Sequence, residues 1–447
     1  MIFQKIKKII SPLKNSIVLQ NLFLVSFITF LIKGLGFYKE TMVAANFGLS
    51  EVLDTFFIAI LVPTFINNVF LGAYRSVFVP NYISELKNNG NKGSFQSTSF
   101  LITIVLGIIF MIIAYLTTDV FLEQIYPSHD NDYYNLVKEQ FYIMLPCVMF
   151  WGLASLLGGL LNIANEYRLS TFANIFTPVT VIVCLTFFKE LMGTNVLALG
   201  TLLGSFLSLL YLYIIAVRKK ILFFDLPDFQ NKNIQILFKQ IPAKVSSGLL
   251  TGLNPVIDQF FAAQLIIGSI AAINYGLKIP AFFAGLVTIA ISNVLLPYFS
   301  NSIHNDRKKA FANLFKALKI VFGSVSVLAL AGVFWSEEIV SLLFERKEFT
   351  SKDSQIVSSI QQVFLIYLPF AISGMLMVNF LTSINKNSIM AYTALVALGI
   401  NFLLDYILMQ YYGILGIAFS TTVVAILKNT FTFFYIYNIK KKEIATA

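Results

Sequence analysis

The sequence predicts an all-α polytopic membrane protein, and three observations support this fold class. The chain has 447 residues, of which 57% are hydrophobic and only 12% are charged. Its mean hydropathy of +0.78 is too high for a soluble globule with a polar surface. Apolar runs of about 20 residues, long enough to cross a hydrocarbon core of roughly 30 Å, recur along the whole chain. Lipid is therefore the expected solvent.

About twelve such runs can be counted, and each is expected to form one membrane-spanning helix. A stretch such as Leu101 to Leu116 is apolar on every side, whereas a barrel strand would alternate in polarity over about 10 residues. The runs centre near residues 18–38, 54–82, 97–118, 138–162, 168–188, 194–217, 240–266, 270–299, 310–335, 356–384, 388–410 and 413–438.

Basic residues fall in alternate loops, which predicts the orientation of the chain. Lysines precede the first run, and further basic residues follow the second, fourth, sixth, eighth, tenth and twelfth runs. Short loops that carry lysine and arginine stay on the cytoplasmic side. Both termini are therefore expected to be cytoplasmic, and the formal charge of +10 reflects topology. Nucleic-acid binding is not expected, because the bases are scattered between runs instead of gathered on one soluble face.

An internal echo predicts two lobes, residues 1–222 and 223–447, with six spans each. Pro63 and Pro80 in the second run match Pro280 and Pro297 in the eighth, at a constant separation of 217 residues. Simple duplication of membrane hairpins would give the same echo. Proline inside a span kinks the helix, which lipid tolerates only where protein or a water-filled cavity satisfies the freed backbone groups. The two spans are therefore expected to line a pathway.

Ionisable residues at membrane depth are costly and usually face a cavity. They are Lys33, Lys39, Glu40, Asp54, Arg75, Asp258, Lys278, Asp405 and Lys428. Bases dominate the first lobe and the eighth span, so a cavity lined by them would attract a phosphate or diphosphate. The alternative is internal neutralisation, in which Lys33 pairs with Glu40, seven residues away on the same helix face, or Asp258 pairs with Lys278.

Three segments carry a resemblance to a known family. LIKGLGFYKETMVAANFGLSEVLDTFFIAILVPTFINNVF at Leu31–Phe70, GSIAAINYGLKIP at Gly268–Pro280 and NFLLDYILMQYYGILGIAFSTT at Asn401–Thr422 are similar to motifs of the MviN/MurJ lipid II flippase family. The resemblance covers most of the chain. It implies the two-lobe fold of the multidrug/oligosaccharidyl-lipid/polysaccharide (MOP) exporters, alternating access around a cationic central cavity, and a multi-pass location in the bacterial inner membrane.

The resemblance also implies site residues. Cavity cations of the family match Lys33, Lys39 and Lys278, and its acidic partner matches Asp54. The chain differs in the second span, where Asn67 and Asn68 stand in place of an arginine pair and Arg75 lies further along. It also ends after about twelve spans, whereas lipid II flippases have two further helices that hold a lipid groove. Flippases of O-antigen or capsule repeat units, which share the carrier, therefore stay open as an alternative.

A second group of residues resembles the family's sodium site and also suits a hard cation by its chemistry. Asn401 and Asp405 are four residues apart on one helix face, as are Ile417 and Thr421, and Asp258 adds a carboxylate. Carboxylate, amide, hydroxyl and a backbone carbonyl freed at Ile417 would give the oxygen ligands that sodium prefers. The alternative is that Asn401 and Thr421 only tie helices together while Lys428 neutralises Asp405.

These observations favour a flippase that carries a polyprenyl-diphosphate-linked saccharide from the inner to the outer leaflet. We expect a monomer in contact with membrane lipid, no cofactor apart from a coupling sodium ion, and no catalytic residue. A multidrug/cation antiporter of the same superfamily would need an acidic cavity. A glycan polymerase or ligase would need an acid/base or nucleophile group in a sizeable external loop, which the short loop around residues 126–134 does not offer.

Overall fold

The structure, a computed structural model, describes residues 17–126, 129–384 and 386–445. Within these residues the regular secondary structure is helical, and the β-type pairing is limited to an isolated bridge between Arg346 and Phe349. This confirms the predicted all-α fold class. The helices up to the middle of the chain are α1 Ile17–Phe47, α2 Glu51–Ile66, α3 Gly72–Lys87, α4 Lys92–Ile125, α5 Asn131–Met144, α6 Cys147–Ile163, α7 Tyr167–Phe172, α8 Phe176–Phe187, α9 Lys189–Met192 and α10 Val196–Arg218.

The second half of the chain contains longer helices. They are α11 Lys232–Ala262, α12 Ser269–Asn305, α13 Arg307–Phe334, α14 Ser336–Phe344, α15 Ser351–Ser383, α16 Asn387–Tyr412 and α17 Ile414–Ala445.

Ten helical stretches of the described chain are long and apolar enough to cross a membrane, and each coincides with one of the expected runs. The other two runs, the first and the seventh, lie in α1 and α11. Each of these helices has 31 residues and is therefore roughly 46 Å long. The chain is a multi-pass membrane protein.

The second span is irregular at its centre. A π-helical segment, Asn67–Leu71, separates α2 from α3, and the N–H of Gly72 donates to the carbonyl of Asn67, five residues back. Pro63 lies in α2 just before this segment and Pro80 lies in α3. Such π-helical insertions rotate the following side chains and often occur at functional sites. The eighth span differs, because α12 continues as one helix through Pro280.

By the way its helices pack, the chain divides into two compact units. Unit 1 contains the described residues up to Met42, Ala59–Val120 and Tyr134–Gly248. Its cores include an aromatic group from α3 and α4, in which the Tyr82 ring lies 5.8 Å from that of Phe78 and 5.5 Å from that of Phe95.

Unit 2 contains Val43–Ile58, Phe121–Tyr133 and the described residues from Leu249 onwards. In its core, α12, α13 and α15 meet edge to face, with Phe380 contacting both Phe299 and Phe311. The expected lobe boundary at residues 222/223 stays a prediction.

Candidate functional site

Asp54 binds the beginning of α12. Its two carboxylate oxygens accept hydrogen bonds of 2.7 Å each from the backbone N–H groups of Gly268 and Ala271, and the residue is only 3% exposed. The first N–H groups of a helix have no partner within the helix and carry a partial positive charge. A buried carboxylate accepts hydrogen bonds from these N–H groups and also compensates their partial positive charge. Asp54, predicted to accompany the substrate cations, thus has both oxygens engaged by protein.

The turn between α1 and α2 packs against another part of unit 2. Gly48 has φ +53°, and a Cβ at this position would meet the carbonyl oxygen of Glu348. The N–H of Glu348 in turn donates to the carbonyl of Ala45 at 3.2 Å. Only glycine adopts this backbone without strain and also permits so close an approach. The contact fixes the beginning of α2, from which Asp54 projects.

The predicted cations lie on two helices. Lys278 is half-buried in α12 with its Nζ 5.8 Å from the centre of the Phe57 ring. Lys33 and Lys39 are half-buried in α1, and Lys39 pairs with the neighbouring Glu40 at 2.6 Å. The neutralisation alternative had assigned Glu40 to Lys33 by helical spacing, whereas the structure pairs Glu40 with Lys39. The prediction that the three lysines line one cavity stays a prediction.

Unit 1 contains a cavity of about 650 Å³ that brings Asn67, Asn68 and Arg75 together. The rest of its wall is also rich in amide and hydroxyl groups, which the sequence analysis did not single out: Thr64, Ser155, Asn162, Ser170, Thr171, Asn174, Thr177, Ser205 and Ser208. Trp151 adds an aromatic surface, and its indole N–H donates to Ser205 Oγ at 2.8 Å.

A pattern in the sequence could have located this wall. Trp151, Ser155 and Asn162 are spaced by four and seven residues along α6, which places them on one helix face. Ser170, Asn174 and Thr177 are spaced by four and three residues in the next span, which likewise places them on one helix face. Polar residues on one face of an otherwise apolar span indicate a cavity or a helix contact.

The residues of the expected cation site converge in unit 2. The Asn401 side-chain amide donates to Asp258 Oδ1 at 2.9 Å and to Asp405 Oδ2 at 2.7 Å. Thr421 Oγ1 donates to Asp258 Oδ2 at 3.2 Å. Three helices, α11, α16 and α17, thus place two carboxylates around one amide.

Two oxygens of this cluster are buried without a hydrogen bond, Asn401 Oδ1 and Asp405 Oδ1. Both residues are 0% exposed. Buried acceptors are normally satisfied, and two neighbouring carboxylates repel each other. A hard cation coordinated by these oxygens, or a proton, would relieve both costs, so the residues present suit sodium. The described residues contain no group of three or more His, Cys, Asp or Glu that could hold a metal ion.

The structure contradicts one expectation about this cluster and one part of the alternative. Helix α17 runs without a break through Ile417, so no helix break frees its carbonyl, which could offer only its second lone pair. Lys428 forms no ion pair with Asp405 in the described part of the chain. The alternative in which Lys428 neutralises this carboxylate is therefore excluded.

Comparison with known proteins identifies the family. The family model described as lipid II flippase MurJ matches residues 43–446. A curated relative from Buchnera aphidicola subsp. Baizongia pistaciae, named a probable lipid II flippase, is 28% identical over 380 residues, covering 81% of this chain and 72% of that protein. A relative of the same name from Rhizobium tropici is 28% identical over 411 residues, covering 87% and 75% of the two chains.

Solved structures agree in fold. The chain matches a lipid II flippase MurJ in an inward closed conformation with a TM-score of 0.81 at 24% identity, covering 93% of this chain and 87% of that one. An inward-facing multidrug transporter of the MATE family, also in the MOP superfamily, matches with a TM-score of 0.71 at 13% identity, covering 94% and 99%. The resemblance inferred from the three sequence segments is thus confirmed: the chain belongs to the MurJ family of lipid II flippases.

Proposed function

We propose that this protein moves a polyprenyl-diphosphate-linked saccharide, a lipid II-like precursor of peptidoglycan, from the inner to the outer leaflet by alternating access. The observation that carries the proposal is a polar cavity lined by residues of membrane-spanning helices in a member of the lipid II flippase family. The family is one of transporters, so no covalent bond is made or broken. The curated relatives are named as lipid II flippases, which does not favour the O-antigen or capsule alternative.

The unit 1 cavity suits a saccharide head group by its chemistry. Sugar hydroxyls both donate and accept hydrogen bonds, and the amides and hydroxyls of this wall do the same. The Trp151 ring offers a flat apolar surface for a sugar face. A volume of about 650 Å³ lies within the usual range of ligand cavities, roughly 300–1,000 Å³. A sugar could therefore leave water here and keep its hydrogen bonds.

The diphosphate requires positive charge. Arg75 supplies a guanidinium to the unit 1 cavity, where it can bind phosphate oxygens with two parallel hydrogen bonds. We assign Lys33, Lys39 and Lys278 the same role, following the family resemblance. Outward movement of an anion through an inside-negative potential is downhill by roughly 2.3 kcal/mol per charge per 100 mV. The membrane potential thus favours export even before any sodium coupling.

We further propose that sodium binds among the side-chain oxygens of Asp258, Asn401, Asp405 and Thr421. The protein would act as a monomer in the bacterial inner membrane with both termini in the cytoplasm. A multidrug/cation antiporter fits less well, because the described lining of the unit 1 cavity contains a guanidinium and no carboxylate. The likeness to a MATE transporter at 13% identity concerns the fold alone.

The test is a leaflet-exchange assay in proteoliposomes with a fluorescent lipid-linked peptidoglycan precursor. Wild-type protein should expose the probe to an external quencher. Lys278→Ala should slow exchange by about tenfold or more, because a charge-assisted hydrogen bond contributes about 1.5–3 kcal/mol. The matched control is Lys352→Ala, which removes an exposed lysine of the same unit and should leave the rate unchanged. Equal exchange rates for wild type, Lys278→Ala and Lys352→Ala would refute the role of Lys278 in substrate binding. An inactive wild type would contradict the proposed function.

A further inference from the structure

Unit 2 contains a separate open cavity of about 500 Å³ to which the family resemblance assigns no role. It lies among α11, α15, α16 and α17. Its polar lining residues are Asn254, Tyr367, Asn379, Thr421, Lys428 and Asn429. Like the unit 1 cavity, it lies between spans whose surfaces are otherwise apolar.

Lys428 gives this cavity a positive charge. The residue is half-buried and lies 14 residues after the start of the 29-residue membrane-spanning stretch Ile414–Lys442, which places it near the middle of that stretch, roughly 21 Å from its start. Among the described residues it forms no ion pair, and the described lining of the cavity contains no aspartate or glutamate. An ammonium group at this depth is costly unless an anion or water compensates it.

The remaining lining can complete an anion site. Side-chain amides of Asn254 and Asn379 and the hydroxyl of Tyr367 are hydrogen-bond donors at the cavity wall. A phosphate group has several acceptor oxygens and needs such donors around a central cation. Asn429 is held in place, because its amide donates to the carbonyl of Ala425 at 2.8 Å. The wall thus combines one charge with several neutral donors.

Thr421 connects the cavity to the carboxylate cluster. Its side chain lines the cavity and donates to Asp258 Oδ2. Thr421 and Lys428 are seven residues apart on α17, and Asn254 and Asp258 are four apart on α11, so each helix presents a cavity residue and a cluster residue on one face. A hydroxyl has one proton. When Thr421 donates that proton to Asp258, it cannot donate it to a ligand in the cavity.

We infer that the unit 2 cavity is a second anion subsite, which binds phosphate oxygens through Lys428 and is coupled through Thr421 to cation binding at Asp258. A cation that neutralises Asp258 would free the Thr421 hydroxyl to donate its hydrogen bond to the anion. Binding of each ligand therefore strengthens binding of the other. The phosphate could belong to the lipid-linked saccharide, which rests on the proposed function, or to an anionic phospholipid head group.

The test measures binding of inorganic pyrophosphate to the purified full chain in neutral detergent. Lys428→Gln should weaken binding by about tenfold or more. Lys428→Arg keeps the charge and should stay close to wild type. The matched control, Lys386→Gln, removes an exposed lysine of the same unit and should have no effect. Equal affinities of wild type and a folded Lys428→Gln would overturn the inference.

A second variant keeps the inference testable if Lys428→Gln does not fold. Ala371→Leu fills part of the cavity and leaves Lys428 in place, so it should also weaken pyrophosphate binding. Thr421→Val, which lacks the hydroxyl, should weaken pyrophosphate binding in sodium chloride to the level that wild type shows in choline chloride. If binding in Thr421→Val still responds to sodium as in wild type, the coupling is refuted.

Two further arms separate the sources of phosphate. Lys428-dependent binding of polyprenyl diphosphate assigns the subsite to the transported lipid, and Lys428-dependent binding of phosphatidylglycerol in nanodiscs assigns it to a membrane lipid. The outcome is independent of the leaflet-exchange assay. Active exchange without Lys428-dependent binding overturns the subsite alone, whereas Lys428-dependent binding in a protein that does not exchange lipid overturns the proposed function alone.

Discussion

Replacing Asp54 with alanine should loosen the beginning of α12 by a measurable amount. The substitution removes two short hydrogen bonds from a carboxylate that is 3% exposed. It leaves the N–H groups of Gly268 and Ala271 without acceptors. Bonds to a charged acceptor contribute about 1.5–3 kcal/mol each, and contributions from one site are not fully additive. We therefore expect local opening to become easier by about 3 kcal/mol, which corresponds to about 100-fold.

Hydrogen–deuterium exchange of the protein in nanodiscs measures this effect directly. Peptides that cover Gly268 to Ala271 should exchange about 100-fold faster in Asp54→Ala, and Asp54→Asn, which keeps one acceptor oxygen, should give an intermediate rate. Glu51→Gln is the matched control, because it removes a carboxylate from the same helical turn. Unchanged exchange at these amides in a folded Asp54→Ala protein would refute the assignment of Asp54 as the cap of α12.

Two further predictions concern strain and the cation site. Gly48→Ala should destabilise the protein by about 1–3 kcal/mol and lower its thermal midpoint, because a Cβ at φ +53° meets the Glu348 carbonyl. Gly323→Ala, where a Cβ meets no atom within 4 Å, is the control, and equal midpoints would contradict the predicted strain. Sodium should raise the thermal midpoint of wild type relative to choline, since a ligand of the folded state stabilises it. Asp405→Asn should abolish this shift while the exposed control Glu337→Gln retains it, and a shift that survives in Asp405→Asn would exclude the carboxylate as a ligand.

Much of the architecture was predictable because hydropathy is a local property of the sequence. Each of the ten spans found in the described chain coincides with an apolar run, since lipid forces every backbone polar group to bond within its own helix. The family resemblance drew attention to Asn67 and Asn68, and the cost of an ionisable group in lipid drew attention to Arg75. The structure brings these three residues together in one cavity.

Contacts between distant segments could not be predicted in this way. Asp54 reaches Gly268 across 214 residues, and no periodicity indicates which helix end a carboxylate will cap. The pairing of Glu40 with Lys39 instead of Lys33 depends on side-chain conformations that helical spacing does not specify. Similarly, Lys428 was a candidate partner of Asp405, but the rotation of α17 places it in the wall of the unit 2 cavity.

By itself, the sequence determined that the chain is helical, that it spans a membrane many times and that a few ionisable residues lie within its spans. These properties follow from the cost of placing polar groups in lipid, which each segment bears independently of the others. Only the tertiary structure decided which of these groups share a cavity, which satisfy a helix end and which remain without a partner. These outcomes depend on how each helix is rotated about its axis and packed against the others.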